Sequence, residues 1–97
     1  MSLYHVRYSI EFEREEYAIT AIYNEFRSNM INNHHAVFTL DATFYIFSHL
    51  HIDELINRII LLEFNSVVSS NNINPSYVTI KYDVCILSDP VTKRIRL

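Results

Sequence analysis

A chain of 97 residues without a single glycine must make every turn with side chains in the way. Glycine alone reaches positive φ without a steric penalty, so left-handed positions fall here to Asn or Asp. Asn29, Asn32, Asn33, Asn65, Asn71, Asn72 and Asn74 all stand where turns or helix ends are expected. The same absence removes whole classes of chemistry. Phosphate-cradling loops, dinucleotide fingerprints and nucleophile elbows need glycine where backbone approaches a ligand or bends sharply. No stretch carries a catalytic signature, and the chain reads as a binding protein with no cofactor.

Length and composition allow one domain, residues 1–97, with a real core: 49% of the residues are hydrophobic and 20% charged. A net charge of −3 lacks the basic surplus of a general nucleic-acid binder. The lone Cys85 cannot pair within the chain, which suits a reducing cytoplasmic compartment. No apolar run reaches the ~20 residues that span a bilayer. The N-terminus opens on strand-like alternation, so no signal peptide is expected.

Tyr4, Val6, Tyr8, Ile10 and Phe12 alternate with His5, Arg7, Ser9 and Glu11, the period-two pattern of a half-buried strand. Glu13, Glu15 and Glu16 suit the start of a helix, where carboxylates meet the positive end of the dipole. Ile19, Ile22, Tyr23, Phe26 and Met30 form its apolar stripe, and Asn32-Asn33 its left-handed stop. His34 to Asp41 reads as a short strand with Ala36, Phe38 and Leu40 on one face. Asp41-Ala42 then turns into Thr43–Ser48, although a continuous bulged strand is the alternative. A second helix is expected over Ile52–Phe64, stopping at Asn65, followed by a loop across Ser66–Ser76. Val78–Leu87 alternates as a strand, and Val91–Leu97 can return as a fifth, with Lys93, Arg94 and Arg96 guarding its edge.

The order β-α-β-β-α-β-β is the split β-α-β arrangement of an α+β, ferredoxin-like two-layer sandwich. Its antiparallel sheet would have the first and third strands at the centre and both helices on one face. The helix side would take Tyr4, Val6, Tyr8, Ile10, Val78, Ile80 and Tyr82. The far side keeps an apolar cluster, either Tyr45 and Phe47 or Phe44 and Ile46, together with Cys85 and Leu87. Covering such a face gains about 25 cal/mol per Å², so a homodimer is expected, through the sheet at Tyr45, Phe47, Cys85 and Leu87 or through the fifth strand.

Other constellations point less far. His49-x-His51 has the spacing of two ligands on an extended segment, but nothing else completes a zinc site. His34-His35 sits beside a turn. Glu11, Glu13, Glu15 and Glu16 crowd one junction, either as solvated charge or as an acidic patch for a basic partner. We take these four as the partner-binding residues, together with the solvent faces of the helices. Glu11 and Asp83 are the candidates for metal-dependent nuclease work, and Cys85 sits in a mid-strand apolar setting that disfavours a thiolate.

The glycine-poor, Ile-, Tyr- and Asn-rich composition and the Tyr4–Phe12 strand followed by Glu15–Met30 resemble small proteins of archaeal rod-shaped viruses. Among these are the anti-CRISPR proteins directed at type I-D effectors. The resemblance implies a dimeric ferredoxin-like protein in the host cytoplasm that binds and disables a host nucleoprotein effector without catalysis. The segment Thr43–Ser48 followed by the Ile52–Leu62 helix is also similar to GhoS-type antitoxin endoribonucleases. That likeness implies metal-dependent RNA cleavage, yet Ser9 and Glu11 stand where an Asp would be expected. A small dimeric nucleic-acid regulator is the third reading.

Overall fold

The computed structural model describes residues 1–13, 18–40 and 42–88. The chain is α+β, with two helices and a four-stranded antiparallel sheet in the order β-α-β-β-α-β. The strands are β1 (Ser2–Phe12), β2 (Val37–Leu40), β3 (Thr43–Ser48) and β4 (Val78–Ser88). Their order across the sheet is β2-β3-β1-β4, so the first and third are central. The expected fifth strand, Val91–Leu97, lies outside the described residues.

Alternation in β1 does what its pattern requires. Tyr4, Val6, Tyr8 and Ile10 are buried, while Arg7, Ser9 and Glu11 face water. The register pairs Tyr4 with Ile46 and Val6 with Phe44, which puts Phe44 and Ile46 on the core side. The core itself joins these to Ile22, Phe26 and Met30 from one helix and Leu55, Ile60, Phe64 and Val67 from the other. Both helices therefore cover one face of the sheet. At the bottom of this layer Tyr4 is nearly fully buried, and its hydroxyl donates to the Leu50 carbonyl at 2.6 Å.

Strand β1 outruns β3. The two pair only from Ser2 opposite Ser48 to Arg7 opposite Thr43, whereas β4 accompanies β1 as far as Phe12. Buried backbone left without partners costs free energy, so something must replace the missing strand. The Tyr8 N–H donates to the Ala42 carbonyl at 3.0 Å. The Ile10 N–H donates to the Tyr23 hydroxyl at 2.7 Å, and that hydroxyl lies 3.4 Å from the Ile10 carbonyl. A helix side chain thus finishes the ladder.

Helix α1 (Ile19–His34) begins later than the carboxylates suggest, with no acidic residue in its first turn. Glu13 lies ahead of it and donates its N–H to the Tyr77 carbonyl at 2.9 Å, extending the sheet. Glu15 and Glu16 lie outside the described residues. The end of the helix also differs from the Asn32-Asn33 expectation. His35 takes the left-handed conformation at φ 57°, after Asn33 and His34 have stayed helical. The cause is a bond made elsewhere: Glu63 is buried and accepts from Asn33 Nδ2 at 3.1 Å and sits 2.8 Å from His34 Nε2. Holding both side chains on the helix surface delays the stop by two residues.

The β2–β3 connection is a hairpin. Leu40 pairs with Thr43, and the residue described between them, Ala42, is in a turn. A register shift between Phe38 and Leu40 breaks the expected common face. Ala36 is buried, but Leu40 is 72% exposed. The bulge turns the end of the strand outward, as an extra residue in a ladder does.

Helix α2 is built from an α-helical turn, Ile52–Leu55, a π-helical turn, Ile56–Ile60, and an α-helical stretch, Leu61–Ser70. The broad apolar girth read from its sequence is resolved by the π turn. Its bonds span five residues, so Leu55 and Ile60, both fully buried, share a face that Phe64 and Val67 continue. Leu62 is left in water. Neither Asn65 nor the Ser66–Ser76 loop is where it was expected: the helix runs on to Ser70 because Val67 and Val68 are buried against α1 and the sheet. Asn71 then caps it, giving Nδ2 bonds to Val67 O and Glu25 Oε1, and Asn72 makes the left-handed step at φ 56°. A 3₁₀ turn, Pro75–Tyr77, leads into β4.

Candidate functional site

The face of the sheet that the helices leave uncovered is the surface with the most unexplained chemistry. Its composition follows from register. Residues paired across antiparallel strands share a face, so His5 lies between Tyr45 and Cys85 in one row, and Arg7 between Thr43 and Asp83 in the next. Leu3 pairs with Phe47 and Val37 with Tyr45, while the β1–β4 register slips between Leu3 and Tyr4 and leaves exposed Leu87 unpaired in the bulge, beside Ser88 opposite Leu3. The choice left open by the sequence is thereby made: Tyr45 and Phe47 are outward, Phe44 and Ile46 inward. Of the expected quartet, Tyr45, Phe47 and Cys85 share this face by register, and Leu87 sits in the bulge at its edge.

This face has two halves. Around the His5 row it is apolar and wet: Val37 is 62% exposed, Phe47 59% and Leu87 48%. The His5 and Tyr45 rings rest against each other, tilted 45° with centroids 4.8 Å apart. Cys85 is exposed, not enclosed by apolar neighbours as its sequence setting suggested, and its thiol lies 3.7 Å from the Ile86 carbonyl. Toward the other end the face is charged, and its charges are paired. Arg7 meets Asp83 at 3.8 Å and Lys81 meets Glu11 at 3.3 Å, all four side chains more than half exposed. Such exposed pairs add little stability, about 0–1 kcal/mol each, but they leave the strip electrically balanced. A shallow depression lined by Arg7, Ser9, Lys81, Tyr82 and Asp83 runs along it.

The remaining sequence candidates scatter. Glu11 is tied to Lys81, and Glu13 is exposed just beyond the strand. Asp83 is committed to Arg7, two rows along the sheet from the residue pair that holds Glu11. His49 and His51 are both exposed between β3 and α2. Among the described residues no three His, Cys, Asp or Glu side chains gather into a group that could hold a metal ion. No helix there is long and apolar enough to cross a membrane.

Leu3 and Val37 were missed as members of the apolar half. Both could have been found by carrying the alternation one step further, from His5 back to Leu3 and from Phe38 back to Val37. The Glu63, His34 and Asn33 contact had no such signal, because residues about thirty apart meet only through the packing of two helices. No protein-family model matches the chain, and no curated protein matches it.

Proposed function

We propose that this protein acts by stoichiometric contact with another protein, without catalysis, as a ferredoxin-like two-layer sandwich. The observation that carries the reading is the open sheet face, with Val37, Phe47 and Leu87 about half in water beside a strip of mutually paired charges. Contiguous apolar exposure of this kind on a small protein marks a contact surface. The central positions of β1 and β3 and the covering of a single face by both helices support the ferredoxin-like reading. The acidic end at Glu11 and Glu13, continued in sequence by Glu15 and Glu16, is the second contact surface. Its charge suits the basic groups with which a nucleoprotein effector holds its nucleic acid. Together with the compositional likeness to viral inhibitors, this makes a host nucleoprotein effector in the cytoplasm the target class.

The test is binding of the purified protein to a purified type I-D effector complex, by interferometry. One-to-one stoichiometry, weakened about 10-fold or more by Glu11→Lys/Glu13→Lys, is the expected result. An RNA cleavage assay with Mg²⁺ and Mn²⁺ is run beside it on the wild type, Glu11→Ala and Asp83→Ala. Metal-dependent cleavage lost on either substitution overturns the proposal in favour of a nuclease.

A further inference from the structure

We propose that the π turn of α2 is a movable insertion. The helix carries one residue more than an unbroken α-helix needs to join Leu55 to Phe64, and that extra residue has two places to sit. It occupies Ile56–Ile60 here. One turn further on, it exchanges Ile59 for Ile60 against the core.

The spare residue shows in the spacing of burial. The Leu61 N–H donates to the Ile56 carbonyl, five residues back. Leu55 and Ile60 are fully buried, and Phe64 and Val67 keep the same face beyond them. An α-helix turns about 100° per residue. Running unbroken from Leu55, it would bring Ile59 and then Ser66 inward and turn Phe64 toward water. One residue added between the two halves sets the second half back by that angle and returns Phe64 and Val67 to the core. The burial of Leu55 and Phe64 therefore requires an insertion between them, but does not fix where it lies.

The side chains on either side of the turn decide which way it can travel. Toward the N-terminus, moving the insertion would turn Asn57, now exposed, toward the core and strip its amide of water. Toward the C-terminus stand Ile59, Ile60, Leu61 and Leu62, four apolar residues in succession. Moving the insertion one turn that way rotates this segment alone. Buried Ile60 then gives way to half-buried Ile59, one isoleucine for another. Volume-conserving exchanges in a core cost little. Leu55 before the segment and Glu63 after it, with its bonds to Asn33 and His34, keep their faces and bound the travel.

The outer surface changes more than the core does. Leu61, half-buried in the present form, turns out beside Leu62, which is already 61% exposed. The second form thus shows two adjacent leucines on the solvent face of α2. A partner that touches both binds this form better and draws the population toward it.

Amide and methyl relaxation dispersion on the full chain tests the proposal, because helix register shifts fall in the μs–ms range. Exchange is expected across Asn57–Glu63, with a shared minor population of about 1–10%, and none in β1 or β3. Ile59→Lys places a charge inward in the second form only, and is expected to cut the minor population about 10-fold or more. Deleting Asn57 removes the insertion, so Leu55 and Phe64 are joined in phase by ordinary α-helix. That variant is expected to fold, to keep the amide shifts of β1 and β3, and to lose the exchange. A flat dispersion profile across α2 overturns the proposal, as does exchange that survives both changes. A deletion variant that circular dichroism shows to be unfolded overturns it too, since a helix that needs Asn57 has no residue to spare.

Discussion

Replacing Tyr23 with Phe removes one oxygen atom and nothing else, and asks whether a helix side chain really completes the sheet. The hydroxyl accepts the Ile10 N–H at 2.7 Å and lies 3.4 Å from the Ile10 carbonyl, at a residue that is 5% exposed. β3 ends before it reaches this point, so no strand can take over. Losing a neutral hydrogen bond costs about 0.5–1.5 kcal/mol net, and orphaning a buried donor raises the cost to about 1–3 kcal/mol. The Tyr23 ring is half-buried, so water can reach part of the gap, and we place the cost at about 1–2.5 kcal/mol. For a domain of this size, that lowers the melting temperature by roughly 4–15 °C. Urea denaturation at one fixed protein concentration measures it, with an unchanged m-value as the sign that only stability has moved. Amide exchange at Ile10 should accelerate more than at Val6, which keeps its strand partners on both sides. The control is Tyr82→Phe, an exposed tyrosine, which should stay within about 0.5 kcal/mol. If Tyr23→Phe is as stable as the control and Ile10 exchanges no faster, the hydroxyl does not close the ladder and the argument fails.

Three further perturbations test the packing. Leu55→Ala should cost about 2–5 kcal/mol and Leu62→Ala less than about 0.5 kcal/mol in the same denaturation assay, because the π turn points the first inward and the second out. His34→Ala should destabilise by about 1–3 kcal/mol through its lost bond to buried Glu63. A double-mutant cycle with Glu63→Gln should return a coupling of at least ~0.5 kcal/mol. At His35, whose left-handed backbone costs a residue with a Cβ about 1–2 kcal/mol, His35→Gly should gain up to about 1 kcal/mol and His35→Val should lose stability, both read from thermal melts.

The expectation about glycine shows where sequence reasoning carries and where it stops. That left-handed turns must be made by residues with a Cβ follows from composition alone, and His35 and Asn72 are the positive-φ positions among the described residues. Which residues make them does not follow. Asn32 and Asn33 are as suitable by propensity as Asn72, yet they stay helical because a carboxylate on the other helix holds their turn. Asn65 is helical for a similar reason, since Val67 and Val68 beyond it gain more by burial than the helix loses by continuing. Propensity is worth tenths of a kcal/mol per residue and core burial whole ones.

The strands were legible because a period of two is a local signal, and three of the expected outward quartet followed once the faces were known. Tyr4–Phe12, Thr43–Ser48 and Val78–Leu87 needed no tertiary information to be read as strands. Register, the bulge after Phe38, the π turn and the tyrosine that ends β1's ladder did need it, because each is set by a partner distant in the chain. Sequence alone determined that the strands carry apolar side chains beyond those of a single face, and that there is no glycine with which to build a phosphate loop. Only the tertiary structure decided which aromatics lie on the open face, because a one-residue shift in pairing would have exchanged Phe47 for Ile46 without changing the chain at all.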